Sequence, residues 1–287
     1  MLIRDLPCCV LVLLTLSSPS RAEEASPAQV VGRAPTPTPE PPVARVRDNL
    51  FLLEEAYNQE PGVIQHISLF QYGPGPAWVF SFTEEWPVPT DRNQLSVTLN
   101  LAGALGSAPG LGDLLLNYRL QVLGMGGVGW LAIAPRLSLV LPTGDPRNLT
   151  GRGSIGLQFN LPISVEVGRF FALHLNVGGT VTPSARSPGG RTETALDANA
   201  GAALVWQPVK WINPLVEVSY TLTEVVGDAS SEHVHALVVN PGLRLAIDHK
   251  ATGLQVVPGL SVPIQVPLTG GVQVGVLSYL SLEHPAF

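Results

Sequence analysis

Glu232, His233 and His235 are the first residues whose types and spacing suggest chemistry. In E-H-V-H the two imidazoles stand one strand step apart on one face, where they could hold a metal ion. A closed zinc site wants four ligands, so two histidines are too few. A polar loop accounts for the same residues, and neither a metal nor a cofactor is expected. His66, His174 and His249 have no neighbouring serine in a nucleophile motif. The chain contains no G-x-S-x-G and no H-E-x-x-H, and no phosphate loop or dinucleotide fingerprint. No catalytic residue is assigned, and the chain is read as a non-enzyme; a site assembled from distant strands is the remaining enzymatic reading. Asn148-Leu149-Thr150 matches a glycosylation acceptor, an accidental match if the source is a bacterium. What remains is a scatter of ionisable residues, Asp113, Arg119, Arg136, Glu166, Asp197, Glu217 and Arg244. With them go the amides Asn117, Gln158, Asn160, Asn176 and Asn199. Such groups can set the selectivity of a passage or fill an interior with salt bridges.

The elements that carry them have a two-residue rhythm. From Gln94, polar Gln94, Ser96, Thr98 and Asn100 alternate with Leu95, Val97, Leu99 and Leu101. From Ser154, the residues Ile155, Leu157, Phe159, Leu161, Ile163, Val165 and Val167 share one face. Gly156, Gln158, Asn160, Ser164 and Glu166 share the other. Successive strand side chains point to opposite sides, so these are strands with one apolar and one polar face. A run of about fourteen residues is long for a soluble strand but suits a tilted strand crossing a bilayer. A charge at the bilayer midplane costs roughly 2–4 kcal/mol. The ionisable residues are therefore assigned to the inside, as candidate lumen-lining groups.

Composition agrees. Hydrophobic residues make up 45% of the chain and charged residues only 13%, against about 25% charged in a typical soluble domain. Residues 1–22 read as a secretory signal peptide, with Arg4 before an apolar run from Cys8 to Leu16 and small residues Ser20 and Ala22 at the cleavage site. Cys8 and Cys9 open that run rather than follow it, which argues against a lipoprotein. Cleavage removes both cysteines of the chain, and with them disulfides and thiol chemistry. Loss of Arg4, Arg21 and Asp5 takes the net charge from −6 to −7, which gives no hint of nucleic-acid binding. No later segment offers eighteen unbroken apolar residues, so a helical membrane protein is not expected.

Residues 23–47 form a Pro-rich spacer, including A-P-T-P-T-P-E-P-P from Ala34, read as an inert linker or a docking peptide for a periplasmic partner. Residues 48–62 contain the one short helix candidate, D-N-L-F-L-L-E-E-A-Y-N-Q over 48–59. Leu50, Leu53, Ala56 and Tyr57 would share its inner face, with Glu54 and Glu55 opposite. It is expected to be a lead-in to the first strand, a lid or a plug. From Val63 to Phe287 about twelve strands follow. The connections after strands five, seven and nine, at 142–153, 183–194 and 226–233, are long and polar. Those after six, eight and ten are short. Outer-membrane barrels have long extracellular loops and short periplasmic turns. Pro135, Pro162, Pro241 and Pro258 count against the assignment, because proline cannot donate to a ladder. His284 and Pro285 are expected to break the last strand just before Phe287.

The residues G-L-G-D-L-L-L-N-Y-R from Gly110 and P-R-L-S-L-V-L-P-T-G-D from Pro135 resemble the MetA-pathway phenol-degradation family of outer-membrane proteins. The resemblance extends over most of 63–287. It implies a signal-bearing β-barrel that transports hydrophobic or aromatic compounds, and it carries over no catalytic residues.

The expected fold is thus all-β, a transmembrane antiparallel meander barrel of about twelve strands, exported to the bacterial outer membrane. Its expected partners are outer-membrane lipid, the barrel-assembly machinery and a small-molecule solute, with no nucleic acid. The expected function is a pore or transporter for passive passage of small molecules. The rivals are a closed structural barrel acting through its extracellular loops and a soluble secreted β-domain.

Overall fold

The computed structural model describes residues 48–73, 77–104, 109–124, 129–266 and 271–286. The signal peptide, the Pro-rich spacer and Phe287 lie outside them. The described chain forms one closed antiparallel meander. Its staves are β1 (Val63–Tyr72), β2 (Ala77–Trp86), β3 (Asn93–Ala104), β4 (Gly110–Leu111 with Leu114–Leu120), β5 (Leu131–Ile133 with Arg136–Leu141) and β6 (Gly156–Val167). They continue with β7 (Phe171–Arg186), β8 (Thr192–Trp206), β9 (Ile212–Val226), β10 (Ser231–Leu245 with Ile247–His249), β11 (Leu254–Ser261 with Ile264–Val266) and β12 (Gln273–Val274 with Val276–Pro285). Each stave pairs with the next. The ring closes where β1 meets β12, in register from Val63 opposite Pro285 to Tyr72 opposite Val276. The last strand therefore runs through His284 and ends at Pro285, rather than breaking before them.

The alternation sorts the two faces. Leu157 and Phe159 are 50% and 47% exposed on the outer wall, while Asn160 and Ser164 are buried on the inner one. Outward Phe70 and Tyr72 lie toward one rim, while six outward aromatics, Tyr118, Trp130, Phe170, Phe171, Trp206 and Trp211, lie near the other. This is the girdle expected where a barrel wall passes through an interface. The same rim carries the short turns 168–170, 207–211 and 250–253.

Of the three predicted long loops at the opposite rim, only 142–155 is loop throughout. The other two predicted loops are largely strand: β7 and β8 run up to a hairpin over 187–191, and β9 and β10 to one over 227–230. Their polar composition reflects strand ends raised clear of the apolar band, where neither face needs to be greasy. A bulge absorbs Pro183 and Ser184 opposite the Glu193–Ala195 register shift, with Ser184 at φ 56°.

The internal prolines fall at interruptions of the ladder. Pro135 separates the two pieces of β5, and Pro162 faces the same break, between the Ile133–Ile163 and Arg136–Asn160 pairs. Pro241 faces the break between the pieces of β11, where Val262 N–H donates to its carbonyl at 3.0 Å. Pro258 lies near the break at Ala246 in β10. Each missing N–H thus sits where the neighbouring strand already bends away.

Candidate functional site

The predicted helix over 48–59 does not form. The segment is irregular and extended, and it enters the lumen from the short-turn rim, rises to Leu52–Leu53–Glu54, and returns to Gly62. Both ends meet at Gln65 on β1, whose side-chain amide donates to Asp48 Oδ1 and accepts from Gln59 Nε2. Its buried apolar residues have no helical period to satisfy. Leu50, Phe51 and Leu53 pack into a cluster with Ile67, Ala203, Val205, Leu215, Val257, Leu277 and Tyr279 from the wall. Phe51 meets Tyr279 edge-on at 5.8 Å. Glycines make the sockets: a β-carbon at Gly259 would fall 2.6 Å from Phe51 Cε1, and one at Gly201 2.6 Å from Leu53 Cδ2. Gly242 gives Phe51 a second such clearance.

A loop buried without a ladder must find partners for its backbone elsewhere. Inward side chains supply them. Glu217 Oε1 accepts from Leu52 N–H and Leu53 N–H at 2.9 and 3.0 Å. The Asn176 amide accepts from Glu54 N–H at 3.1 Å and donates to Glu54 O at 2.8 Å, mimicking a strand neighbour. Gln121 does the same for Asn58 N–H and Ala56 O, and Gln94 accepts from Gln59 N–H at 2.9 Å. Arg244, fully buried, donates to the carbonyls of Asp48 and Asn49 at 2.7 and 2.6 Å. It also donates to Glu55 at 3.1 Å.

Glu54 is the electrostatic keystone. Arg119 and Arg136 both pair with it at 2.8 Å, and Asn160 Nδ2 donates to it at 2.8 Å. Burial alone would raise this carboxyl, but Arg136 and Arg119 outweigh burial and hold it at about 2.

The sequence candidates therefore separate. Arg119, Arg136, Asn160, Glu166, Asn176, Glu217 and Arg244 all bond directly to the loop, Glu166 through the Tyr57 hydroxyl at 3.1 Å. Asn117 and Gln158 accept from Arg136 at 2.8 and 2.9 Å and orient it. Asn199 lines the space above the loop. Asp113 and Asp197 do something else: they clamp the 142–155 loop at the far rim. Asp113 accepts from Gly144 N–H and Arg152 N–H at 3.0 and 2.8 Å, and Asp197 pairs with Arg152 at 2.9 Å. The two stretches that carry the family resemblance meet at this clamp.

Sequence reasoning missed Asp48, Gln65, Glu85, Gln121, His174, Asn240 and Tyr279 as parts of the site. Gln121 was legible, since it continues the polar alternation of Asn117 and Arg119. His233 and His235 lie in β10, not a loop. His235 Nδ1 is 2.6 Å from the Tyr220 hydroxyl, and no group of three or more potential metal ligands exists among the described residues.

Ser164, His174 and Glu55 stand in the order of a nucleophile, a base and a carboxylate, with Ser164 Oγ 2.8 Å from His174 Nδ1 and Glu55 4.0 Å from Nε2. The serine is fully buried and already accepts Ala56 N–H at 2.8 Å. Withdrawing the loop to expose it would remove Glu55 as well, so the trio anchors the loop.

Several spaces adjoin the loop among the described residues. A vestibule of about 510 Å³ lies above it, lined by Gln71, Gln158, Asn199, Ser219, Thr221 and the loop apex. A chamber of about 320 Å³ runs beside it, against Ser81, Thr83, Ser96, Thr98 and Leu115. A mouth of about 320 Å³ opens below, between Gln59 and the 248–255 turn. Glu54 and Arg136 border both the vestibule and the side chamber.

A closed twelve-stranded antiparallel barrel with an apolar outer wall and a polar interior is the fold of outer-membrane channels. Among solved structures the chain is similar to an outer membrane channel from Pseudomonas putida F1, at 15% identity and a TM-score of 0.58. That match covers 80% of this chain and 97% of that one. It is also similar to the NanC porin, at 4% identity and a TM-score of 0.50, over 77% and 98% of the two chains. No family profile and no curated protein matches the sequence.

Proposed function

We propose that this chain is a bacterial outer-membrane barrel through which small molecules pass passively, around an N-terminal loop that fills the lower lumen. The short-turn rim faces the periplasm and the 142–155 loop faces outside. The chain reaches that place by signal-peptide export and insertion by the barrel-assembly machinery. The observation that carries the reading is the side chamber between the loop and the hydroxyl-rich wall of β2 and β3, which borders the vestibule at Glu54 and Arg136. It is the space in which a solute would travel while the loop stays seated. The resemblance to the phenol-degradation family suggests hydrophobic or aromatic cargo, and Leu52, Leu69 and Leu115 offer apolar surface along the route.

A second reading, a closed barrel acting through its outer loops, draws support from how completely the loop is anchored. Conductance in a planar bilayer separates the two. The pore reading expects discrete channels from the wild-type protein and smaller ones from Thr98→Trp, which fills the side chamber. A silent wild-type protein would leave the closed barrel as the better account.

A further inference from the structure

The ion cluster at the loop apex has the build of a ligand site that the chain itself fills. Each oxygen of the Glu54 carboxylate meets more than one donor. Oε1 accepts from Arg136 Nε at 3.0 Å and from Asn160 Nδ2 at 2.8 Å, and lies 2.8 Å from Arg136 Nη2. Oε2 accepts from Arg136 Nε at 3.0 Å and from Arg119 Nη2 at 2.8 Å. Guanidinium donors that reach both oxygens of a planar anion are the usual means of recognising a carboxylate. All of these donors come from the wall, on β4, β5 and β6; only the carboxylate comes from the loop.

The wall also aims the main donor without help from the loop. Arg136 Nη1 donates to Asn117 Oδ1 at 2.8 Å and to Ser138 Oγ, and Nη2 donates to Gln158 Oε1 at 2.9 Å. Those acceptors stay when Glu54 leaves, so the Arg136 guanidinium keeps its place. Arg119 instead donates to Glu54 and to the Tyr57 carbonyl, both on the loop, and withdrawal of the apex calls for another anion there. Access differs in the same order. The Arg136 side chain is 14% exposed and borders the vestibule, whereas that of Arg119 is 4% exposed. A solute in the vestibule meets Arg136 first and reaches Arg119 as Glu54 withdraws. Leu52, Leu69 and Leu115 in the adjoining side chamber offer surface for a short apolar body. Glu85, the other carboxylate of that chamber, is engaged by Gln94 Nε2 at 2.6 Å.

We propose that Arg136 and Arg119 form a binding site for a small monocarboxylate with a short apolar body. Glu54 is its resident substitute, exchanged for the solute's carboxylate when the loop apex lifts. One carboxylate arrives as the other departs, so neither buried guanidinium is left bare. Use of this exchange as a gate rests on the pore reading above; the binding needs only the loop-filled barrel.

The test is chymotryptic cleavage of the 48–59 segment in the purified full-length barrel, in detergent and at constant ionic strength. Glu54→Ala deletes a methylene and a carboxylate, which acetate replaces in size and charge. Cleavage of Glu54→Ala should be several-fold faster than that of the wild-type protein. Acetate should bring it back toward the wild-type rate, and acetamide or chloride should not. On the wild-type barrel a carboxylate should act in the opposite sense, with butyrate speeding cleavage several-fold and butyramide leaving it unchanged. A folded Glu54→Ala barrel indifferent to acetate, or rescued equally by chloride, would overturn the carboxylate site. Wild-type cleavage unmoved by butyrate would overturn the exchange, and this arm decides even if the variant fails to fold. In a planar bilayer, butyrate should raise the single-channel conductance of the wild-type protein. Acetate rescue beside a silent bilayer would remove the pore reading and still support the site.

Discussion

At the scale of single residues, the inner wall is a set of partners for one peptide. Glu54 binds two guanidiniums, and removing its charge leaves both of them unpaired at the loop apex. Glu54→Gln should therefore loosen the loop and raise single-channel conductance, while the heat-modified gel shift that reports a folded barrel stays unchanged. The carboxyl is depressed from 4.5 to about 2 in the seated loop. Its contribution is complete above about pH 4.5 and is lost as pH falls toward 2. Conductance should be flat from neutral down to that point and rise below it, and Glu54→Gln should abolish the rise. A rise on the alkaline side would contradict this account. On the outer wall, Leu157→Arg or Phe159→Arg places a charge in the apolar band at about 2–4 kcal/mol and should block assembly. Gln158→Arg faces the lumen and should assemble; equal damage at all three would refute the alternation. That alternation made Arg119, Asn160 and Arg244 legible as inward residues. It could not reveal that they serve a loop, because contacts between Glu54 and Asn160 join residues 106 apart. Glu54 itself was misplaced, since helical spacing put it opposite Leu50 and Leu53, whereas an extended loop buries residues on every side.

At the scale of elements, strands were readable and loop ends were not. Polar composition marks a strand raised above the apolar band as readily as it marks a loop, so β7 to β10 were cut short at 183–194 and 226–233. The prolines misled in the opposite direction: each looked like a breaker, yet each sits beside a break in its neighbour. The glycine sockets yield a prediction that leaves every charge in place. Gly242→Val suits a strand but fills the space of Phe51, so it should unseat the loop and raise conductance without loss of the barrel. Protease sensitivity of the 48–59 segment in detergent would report the release directly. Unchanged protection would mean that Phe51 is not what seats the loop. Epitope tags at 142–153, 187–191 and 227–230 should be reachable on intact cells. Tags near Gly168–Arg169 or Val209–Lys210 should need permeabilisation, and the opposite pattern would invert the proposed orientation.

At the scale of the whole molecule, the wall is uneven. The unbroken runs of β7 to β10 are 15 or 16 residues long, against 10 to 12 for β1 to β3. One side of the vestibule therefore stands higher than the other. If cargo is a small aromatic, its uptake should fall on deletion of the gene and return on complementation, and Thr98→Trp should complement poorly. The loop has one more consequence, and it concerns time. Its residues precede the barrel in the chain. Yet Asp48 must find the Tyr279 hydroxyl, 231 residues later. Contacts of such separation are slow to form, and these ones join staves on every side of the ring. If the chain is exported as proposed, a segment made first and satisfied last must wait without its partners. When β1 finally meets β12, the ring has to close around an occupant already in place. Insertion kinetics of a chain lacking 48–59 should show whether that occupant delays closure or serves as the former on which the barrel is wound.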